Sequence, residues 1–436
     1  MKVLLVGNGA REHAIAERVA MDSELYSVMS KKNPAIAQLS KKHWICDIEN
    51  ADEIRKCIAG QDFDVAFASP DAVLAAGVSD MLEKKDILVA SPLKAAARIE
   101  WDKAFMRKLM LENKISGQIK HELVKSIEDA RRFIKDFGDV AIKPIGLTGG
   151  KGVKVTGDHF ETIEQGLAYV TEVFKKDGTV LIEEKIVGEE FSFQCFSDGI
   201  RIATMPPVQD HKRAFEGDSG PNTGGMGSYS TGELLPFLDK NDIEQATKIL
   251  QETVHAMKKN GTPFRGVLYG QFMTTKDGLR VIEFNARFGD PEAMNVLATF
   301  EGSLADMFLS IADGRLERPK FSKKATVVKY LVPEGYPDKP LKDQPVAVDS
   351  LAIERVGARV YYASVYEKEG AIYTTGSRAF GVLGMADELN EAERIAEEGC
   401  ILVQGKVWHR RDIGTEKLVS KRVQRMKELR GNSFSN

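Results

Sequence analysis

Glu283, Asn285 and Arg287 stand two residues apart in the run Val281–Glu292, VIEFNARFGDPE. Val281 and Ile282 open an apolar, β-prone stretch, so the run is predicted to enter as a strand. Residues two apart on a strand share a face, which brings the three side chains to one side. A carboxylate beside an amide oxygen is a hard oxygen set suited to magnesium. An arginine one step along adds a planar, fixed positive fork for a carboxylate or a phosphate. The three fit the handling of metal-bound nucleotide phosphates beside an acid to be activated. The bland alternative is an exposed strand face carrying a surface ion pair.

Two glycine-rich turns extend that reading. Ala141–Lys143 ends a predicted strand, and Gly146–Gly152 (GLTGGKG) follows before Val153–Val155. Backbone amides at Gly149, Gly150, Lys151 and Gly152 could close over phosphate oxygens, with Lys143 and Lys151 neutralising charge. A Walker loop needs Ser or Thr after its lysine and a helix next. Gly152 and a strand follow instead, so a lid between two strands is expected, with an unliganded hairpin as the alternative. Gly7-Asn8-Gly9 follows the first strand and opens a helix, a turn that suits phosphate. Glu12 stands where the dinucleotide fingerprint wants its third glycine, so a substrate phosphate fits better than NAD. A tight turn with no ligand is the alternative there.

Val180–Ile186 reads as a buried strand running into a short connection whose backbone could meet an adenine edge, with Glu190 placed for ribose hydroxyls. Acidic residues at a strand end are more often simply solvated. Gln209–Arg213 and Gly217–Gly227 form a long, polar, glycine-dense loop of the kind that closes on a ligand. His211 within it reads as structural. No convincing Ser-His-Asp or Cys-His set is visible.

The elements that must position these residues follow from composition and rhythm. A chain of 436 residues, 43% hydrophobic and 29% charged, with net charge −3, is globular and spans two to four domains. That charge gives no drive toward nucleic acid, and no stretch approaches the ~18–20 apolar residues of a membrane span. The opening MKVLLVGNG is too short in apolar residues for a signal peptide. Cys46, Cys57, Cys195 and Cys400 lie far apart in sequence and read as reduced, mostly buried thiols of a cytosolic chain. Strands at Val3–Val6, Val65–Ala68 and Ile87–Val89 alternate with helices at Glu12–Val19 and Val73–Leu82, the pattern of a parallel sheet. A helix is predicted from Asp102 to Leu111, its apolar stripe facing a core. Glycine-linked strands follow to about Ile311. A connection through Pro333–Pro345 leads to strands at Arg359–Val365 and Ala371–Thr374 and a helix over Asn390–Glu398. The basic tail Lys421–Arg430 reads as a solvated helix.

Taken together, these segments closely resemble the phosphoribosylamine–glycine ligase (glycinamide ribonucleotide synthetase) family of purine biosynthesis. The matching stretches are GNGAREHAIA (7–16), GLTGGKGV (146–153), GEEFSF (188–193), QDHKRAFEGDSGPNTGGMGSYS (209–230), IEFNARFGDPE (282–292) and HRRDIG (409–414). The resemblance implies a multidomain α/β and α+β protein: an N-terminal parallel-sheet α/β domain over 1–100, an ATP-grasp domain over 101–320 and a C-terminal α+β domain over 321–436. It implies that ATP phosphorylates glycine to glycyl phosphate, which the amine of 5-phosphoribosylamine attacks to give glycinamide ribonucleotide. Transfer between anions needs cations to screen it and a closed lid to exclude water.

By the same resemblance, Glu283, Asn285 and Gln271 hold Mg2+ or Mn2+, and Lys103 and Lys143 meet the ATP phosphates. Glu183, Lys185, Ile186 and Glu190 receive adenine and ribose. Arg287 holds the glycine carboxylate and the developing acyl phosphate. Asp210 and Asn222, Thr223, Gly224 and Gly225 position substrates, while Gly7, Asn8 and Gly9 meet 5-phosphoribosylamine. Departures from the common pattern are Ser69-Pro70-Asp71 for Gly-Pro-Glu, Lys143-Pro144-Ile145 for Lys-Ala-Asp, and Lys31–Pro34 for a Pro-Gly-Asn turn. They bear on amine and ribose-phosphate contacts rather than on the reaction class. A cytoplasmic, monofunctional monomer or weak homodimer without nucleic-acid or membrane partners is expected. The rivals are another ATP-grasp ligase or carboxylase, an NAD-dependent oxidoreductase and a non-catalytic nucleotide-binding module.

Overall fold

The computed structural model describes residues 1–146 and 152–431. Val3–Val6 is buried on both faces, which requires cover above and below. The strands Lys2–Val6 (β1), Glu24–Met29 (β2), Lys42–Ile45 (β3), Val65–Ala68 (β4) and Leu88–Val89 (β5) pair in the order β3-β2-β1-β4-β5, all parallel. The order reverses between β1 and β4, so a crevice opens at their carboxyl ends, where Gly7–Gly9 and Ser69–Asp71 lie. Two of these strands escaped the sequence reading. β2 carries Glu24 and Ser27 within its apolar run, and β3 is a four-residue edge strand with a lysine and a histidine. The expected helix Val73–Leu82 is two helices, Asp71–Ala75 and Val78–Glu83, because Gly77 takes a left-handed φ of 78°.

His121–Val124 (β6), Val140–Lys143 (β7), Lys154–Val155 (β8) and Val180–Glu184 (β9) form an antiparallel sheet ordered β6-β9-β7-β8. With helices Ile127–Phe137 and Ile163–Asp177 it encloses its own core of Phe133, Ile142, Leu167, Val170 and Ile182. Gly149, Gly150 and Lys151, expected to form a lid, lie outside the described residues. Gly152, which follows them, accepts a hydrogen bond from the Tyr169 hydroxyl at 2.6 Å.

Gly188–Asp198 (β10) and Ile202–Thr204 (β11) lead into Gln209–Asp210 (β12), Arg213–Phe215 (β13), Ser219–Asn222 (β14) and Gly227–Ser230 (β15). Arg265–Thr275 (β16) and Gly278–Asn285 (β17) then complete a second antiparallel sheet ordered β11-β10-β16-β17. β12 and β15 leave that sheet and join the C-terminal strands Ala325–Pro333, Phe380–Ala386 and Arg359–Tyr362. The polar loop is therefore anchored in the C-terminal layer. The tail corrects an expectation: Glu416–Arg430 is a helix, but it docks rather than standing in solvent. Arg422 and Arg425 pair with buried Glu189 at 3.3 and 3.2 Å, and Arg430 reaches Asp239 and Asp242 at 2.8 and 2.7 Å. Cys195 and Cys400 are buried while Cys46 and Cys57 are half-buried, all four as free thiols.

His13 fastens the N-terminal helix Ala10–Ala20 to the C-terminal layer, its Nδ1 accepting from the Tyr362 N–H at 2.9 Å. Burial holds its pKa down at about 3 from an ordinary 6.5, and His211 is held at about 3 first by burial and then by Arg410. A lowered pKa means the unfolded chain takes a proton below pH ~6.5 that the folded chain refuses. Stability present above that pH is lost as pH falls toward 3, by up to about 1.4 kcal/mol per unit for each histidine. His13→Gln should flatten this acid flank by one proton in urea unfolding between pH 7 and 5, and parallel curves for the two proteins would refute it.

Candidate active site

Strand register gathers the central polar residues. Gln271 of β16 lies opposite Glu283 of β17, Tyr269 opposite Asn285, and Ser192 of β10 opposite Gln271. Residues directly opposite or two apart share a face, so Glu190, Tyr269, Gln271, Glu283 and Asn285 line one side of the sheet. A bulge at Ile282 shifts β17 there and keeps Glu283 facing Gln271. Gln271 Nε2 donates to Glu190 Oε2 at 3.0 Å, and Lys212 Nζ reaches the same oxygen at 3.3 Å. No described residue hydrogen-bonds the Glu283 carboxylate. Burial opposes its charge, but Lys212, Lys103, Lys143 and Arg287 outweigh burial and hold its pKa below the usual range. Two carboxylates and two amide oxygens form a hard donor set. No group of three or more acidic, histidine or cysteine side chains able to hold a metal occurs among the described residues. The face thus fits an ion that takes one or two carboxylates and completes its shell with phosphates and water.

The lysines converge from the other side. Lys103 begins the helix Lys103–Glu112, capped by Asp102, and reaches the Gly146 carbonyl at 3.4 Å. Burial lowers its pKa, with Glu283 opposing and Lys143 reinforcing the shift. Lys143 ends β7 and gives its ammonium to Glu183 Oε2 at 2.6 Å. Glu183 Oε1 takes Arg107 Nε at 2.6 Å, and the same guanidinium donates to the Val281 and Ile282 carbonyls at 3.0 Å each. Both oxygens of Glu183 are therefore engaged within the protein, and the side chain is buried. It clamps Lys143 and ties the lid sheet to the bulge of β17. Lys185 is also committed, its ammonium to the Thr156 carbonyl at 2.6 Å and its N–H to Asp139 at 2.9 Å. Ile186 and Val187 remain as the connection between the two sheets, partly open to solvent.

Arg287 lies past the end of β17, yet stays with Asn285, donating to its Oδ1 at 3.3 Å. Glu100 pins the fork at 3.0 Å and takes the Ala286 N–H at 2.8 Å. Arg287 Nε is buried with no hydrogen-bond partner among the described residues, a donor left over for a ligand. An acidic cluster lies beside it. Asp210 Oδ1 is buried without a partner among the described residues, and burial followed by the charge of Glu292 pushes the Asp210 pKa well above its ordinary value. Tyr269 donates to Glu292 Oε1 at 2.8 Å and contacts Gln271 Oε1. Thr223 is spent on its own loop, bonding the Lys212 carbonyl, while Asn222 pairs with Arg213 in a ribbon.

At the N-terminal turn, Gly7 N–H donates to Val28 at 3.0 Å, and Gly9 N–H donates to Glu12 Oε2 at 2.6 Å. Asn8 Oδ1 accepts from the Ser30 N–H and hydroxyl at 3.2 and 2.9 Å. A Cβ on Gly7 would come within 2.6 Å of Glu12, so the residue that breaks the dinucleotide fingerprint fills this turn. The turn is capped by a carboxylate, its Gly7 and Gly9 N–H groups engaged within the protein. Sequence reasoning gave no role to Lys212, Glu292, Glu100, Arg107, Tyr269 or Arg378. Lys212 and Glu292 lay inside motifs already singled out, whereas Arg107 and Arg378 join segments that no local spacing connects.

Comparison with known proteins agrees with this architecture. Residues 1–100, 101–293 and 326–416 match the N domain, the ATP-grasp (A) domain and the C domain of phosphoribosylglycinamide synthetase. The chain is 50% identical to a phosphoribosylamine–glycine ligase of Methanosarcina acetivorans, over 99% of this chain and 98% of that one. It is 47% identical to the Methanobrevibacter smithii protein of the same name, over 98% and 100%. The crystal structure of the Thermotoga maritima phosphoribosylamine–glycine ligase superposes with a TM-score of 0.81 at 28% identity, covering 95% of this chain and 100% of that one. The biotin carboxylase domain of a Hydrogenobacter thermophilus 2-oxoglutarate carboxylase shares the fold at a TM-score of 0.73 and 16% identity, covering 98% and 97%. The two-sheet clasp, the polar sheet face and full-length similarity lead to one placement: this chain belongs to the phosphoribosylglycinamide synthetase family of ATP-grasp ligases.

Proposed function

We propose that this chain joins glycine to 5-phosphoribosylamine at the expense of ATP, through glycyl phosphate, releasing ADP and phosphate. The observation that carries this reading is the polar sheet face of Glu190, Gln271, Glu283 and Asn285 beneath Lys103, Lys143 and Lys212, with Arg287 at its rim. Attack of a carboxylate on a terminal phosphate brings anions together, and cations fixed in a partly desolvated cleft offset that repulsion. Lys103 and Lys143 are assigned to the ATP phosphates, and Ile186 and Glu190 to adenine and ribose. Gly152, with the neighbouring Gly149, Gly150 and Lys151, is assigned to the lid. Gln271, Glu283 and Asn285 are assigned to Mg2+ or Mn2+, which when bound supplies Lewis-acid screening of the phosphates. The free donor of Arg287 is assigned to the glycine carboxylate. The empty Asp210 oxygen, with Glu292 behind it, suits a cationic amine. The crevice at Asn8 and Ser69–Asp71 is assigned to 5-phosphoribosylamine, and Gly224 and Gly225 close over it. A monomer or weak homodimer acting in the cytoplasm is part of the same proposal.

A coupled ADP-release assay tests it. ADP should form rapidly only with ATP, divalent cation, glycine and 5-phosphoribosylamine together, and amide should accumulate in parallel. Phosphate release with bicarbonate in place of glycine would favour a carboxylase, and no ADP with all components would end the ligase reading.

A further inference from the structure

Arg378 comes from the C-terminal layer, between the strands Ala371–Thr374 and Phe380–Ala386, and reaches the loop and turn beside Asp210 and Glu292. Its Nη1 meets three carbonyls, those of Gly224 at 2.6 Å, Gly225 at 3.0 Å and Asp290 at 3.1 Å. Its Nη2 binds Asp290 Oδ2 at 2.8 Å, and its guanidinium lies 4.3 Å over the Tyr330 ring. Tyr330 in turn donates to Asp290 Oδ1 at 2.5 Å. Three carbonyl dipoles aimed at one point repel one another unless a cation sits there, and this side chain is that cation. What it pins is close to the reacting groups. At Gly225, whose φ is 104°, a Cβ would stand 2.7 Å from both Asp210 Oδ1 and Pro291 Cδ, the residue before Glu292. Loop and acidic turn therefore touch at Gly225, with Arg378 behind both.

We infer that Arg378 is a positioning residue for the second half-reaction: from the third domain it locks the Gly224–Gly225 loop onto the Asp290 turn, so that the acyl phosphate meets the amine and not water. The inference rests on the ligase reading above. In the productive step the amine nitrogen adds to the acyl carbon, the carbon–oxygen bond to phosphate breaks, and the amine loses a proton. In the wasteful step water adds to the same carbon, phosphate leaves, and glycine is regenerated with net hydrolysis of ATP. A loosened loop admits water and displaces the amine, so it changes the partition between these steps. A residue that merely supported the fold would lower both products together.

The test measures ADP and amide in the same reaction, with glycine and 5-phosphoribosylamine, for the full chain and for Arg378→Gln, Arg378→Lys and Tyr330→Phe. The unaltered chain should give the two in equal amounts. Arg378→Gln should raise ADP per amide by about tenfold while the KM for ATP stays within about twofold. Arg378→Lys should fall between, since a point charge answers the carbonyls but not the fork to Asp290. Equal amounts from Arg378→Gln at a reduced rate, or loss of ATP affinity in step with amide, would overturn the inference. If Arg378→Gln does not fold, Tyr330→Phe decides: extra ADP supports the inference and an unchanged ratio overturns it. Absence of amide from every protein, the unaltered chain included, would instead mark failure of the ligase reading.

Discussion

Glu283→Gln is expected to lower turnover by about two to three orders of magnitude while the fold survives. No described residue hydrogen-bonds this carboxylate, so an amide of the same shape breaks no hydrogen bond to any of them. What it removes is a charge that four cations already hold ionised, Lys212, Lys103, Lys143 and Arg287. Of the three side chains assigned to the metal, Glu283 alone is anionic. Its loss also reaches Lys103, whose pKa burial lowers and Glu283 props up. In the variant that pKa should drop further, so charge on Lys103 is lost at lower pH and the alkaline limb of the rate profile moves down. Steady-state turnover at saturating magnesium across pH, with urea unfolding as the control, checks both parts. Wild-type turnover under those conditions would defeat the metal assignment.

The contrast between Glu283 and Glu183 shows what a sequence reveals of such a site. The shared face of Glu283 and Asn285 was legible because strand periodicity is local, two residues along a strand returning to the same face, whereas Gln271 entered only through the family resemblance and meets that face because β16 pairs with β17. The parallel sheet was legible at Val3–Val6 and Val65–Ala68, where apolar runs are uninterrupted, and illegible at the polar edge strand Lys42–Ile45. At Glu183 the spacing pointed only to a solvated strand-end carboxylate, and the family resemblance to the hinge that receives adenine and ribose. Its partners come from a helix 76 residues earlier and a strand 40 residues earlier, and no spacing rule joins them. The same holds for Arg378, which meets Gly224 across 154 residues. The basic tail failed for a related reason. Its charges are spaced as on a solvated helix, and only the fold reveals Glu189 and Asp242 waiting beneath it. Local chemistry could be read directly, while side chains that fasten one domain to another needed the tertiary structure.

Glu183→Gln should destabilise the protein by about 3–5 kcal/mol, far more than a surface carboxylate could. Its carboxylate is enclosed by Arg107, 1% exposed, and Lys143, 9% exposed. Burial disfavours its charge, but the attraction of Arg107 and Lys143 prevails and carries the pKa to about 2. Replacing it leaves two buried cations facing one neutral amide, and removing one partner of such a cluster costs more than the cluster contributes. The sign of the pH dependence follows. A depressed carboxylate pKa contributes stability above its unfolded value near 4.5, and that contribution is lost as pH falls toward 2. The unaltered protein should therefore lose this contribution over that window, which Glu183→Gln lacks from the start, so their difference shrinks in acid. Because the lid sheet has its own core, the loss should appear first there, as faster proteolysis within 119–184 before global unfolding. Arg107→Met combined with Glu183→Gln should cost less than the sum of the two, since the arginine change removes a cation that the glutamate change leaves unpaired. Urea unfolding and limited proteolysis at pH 7 test the magnitude, and a loss below about 1 kcal/mol would mean that the cluster does not hold the lid to the central sheet.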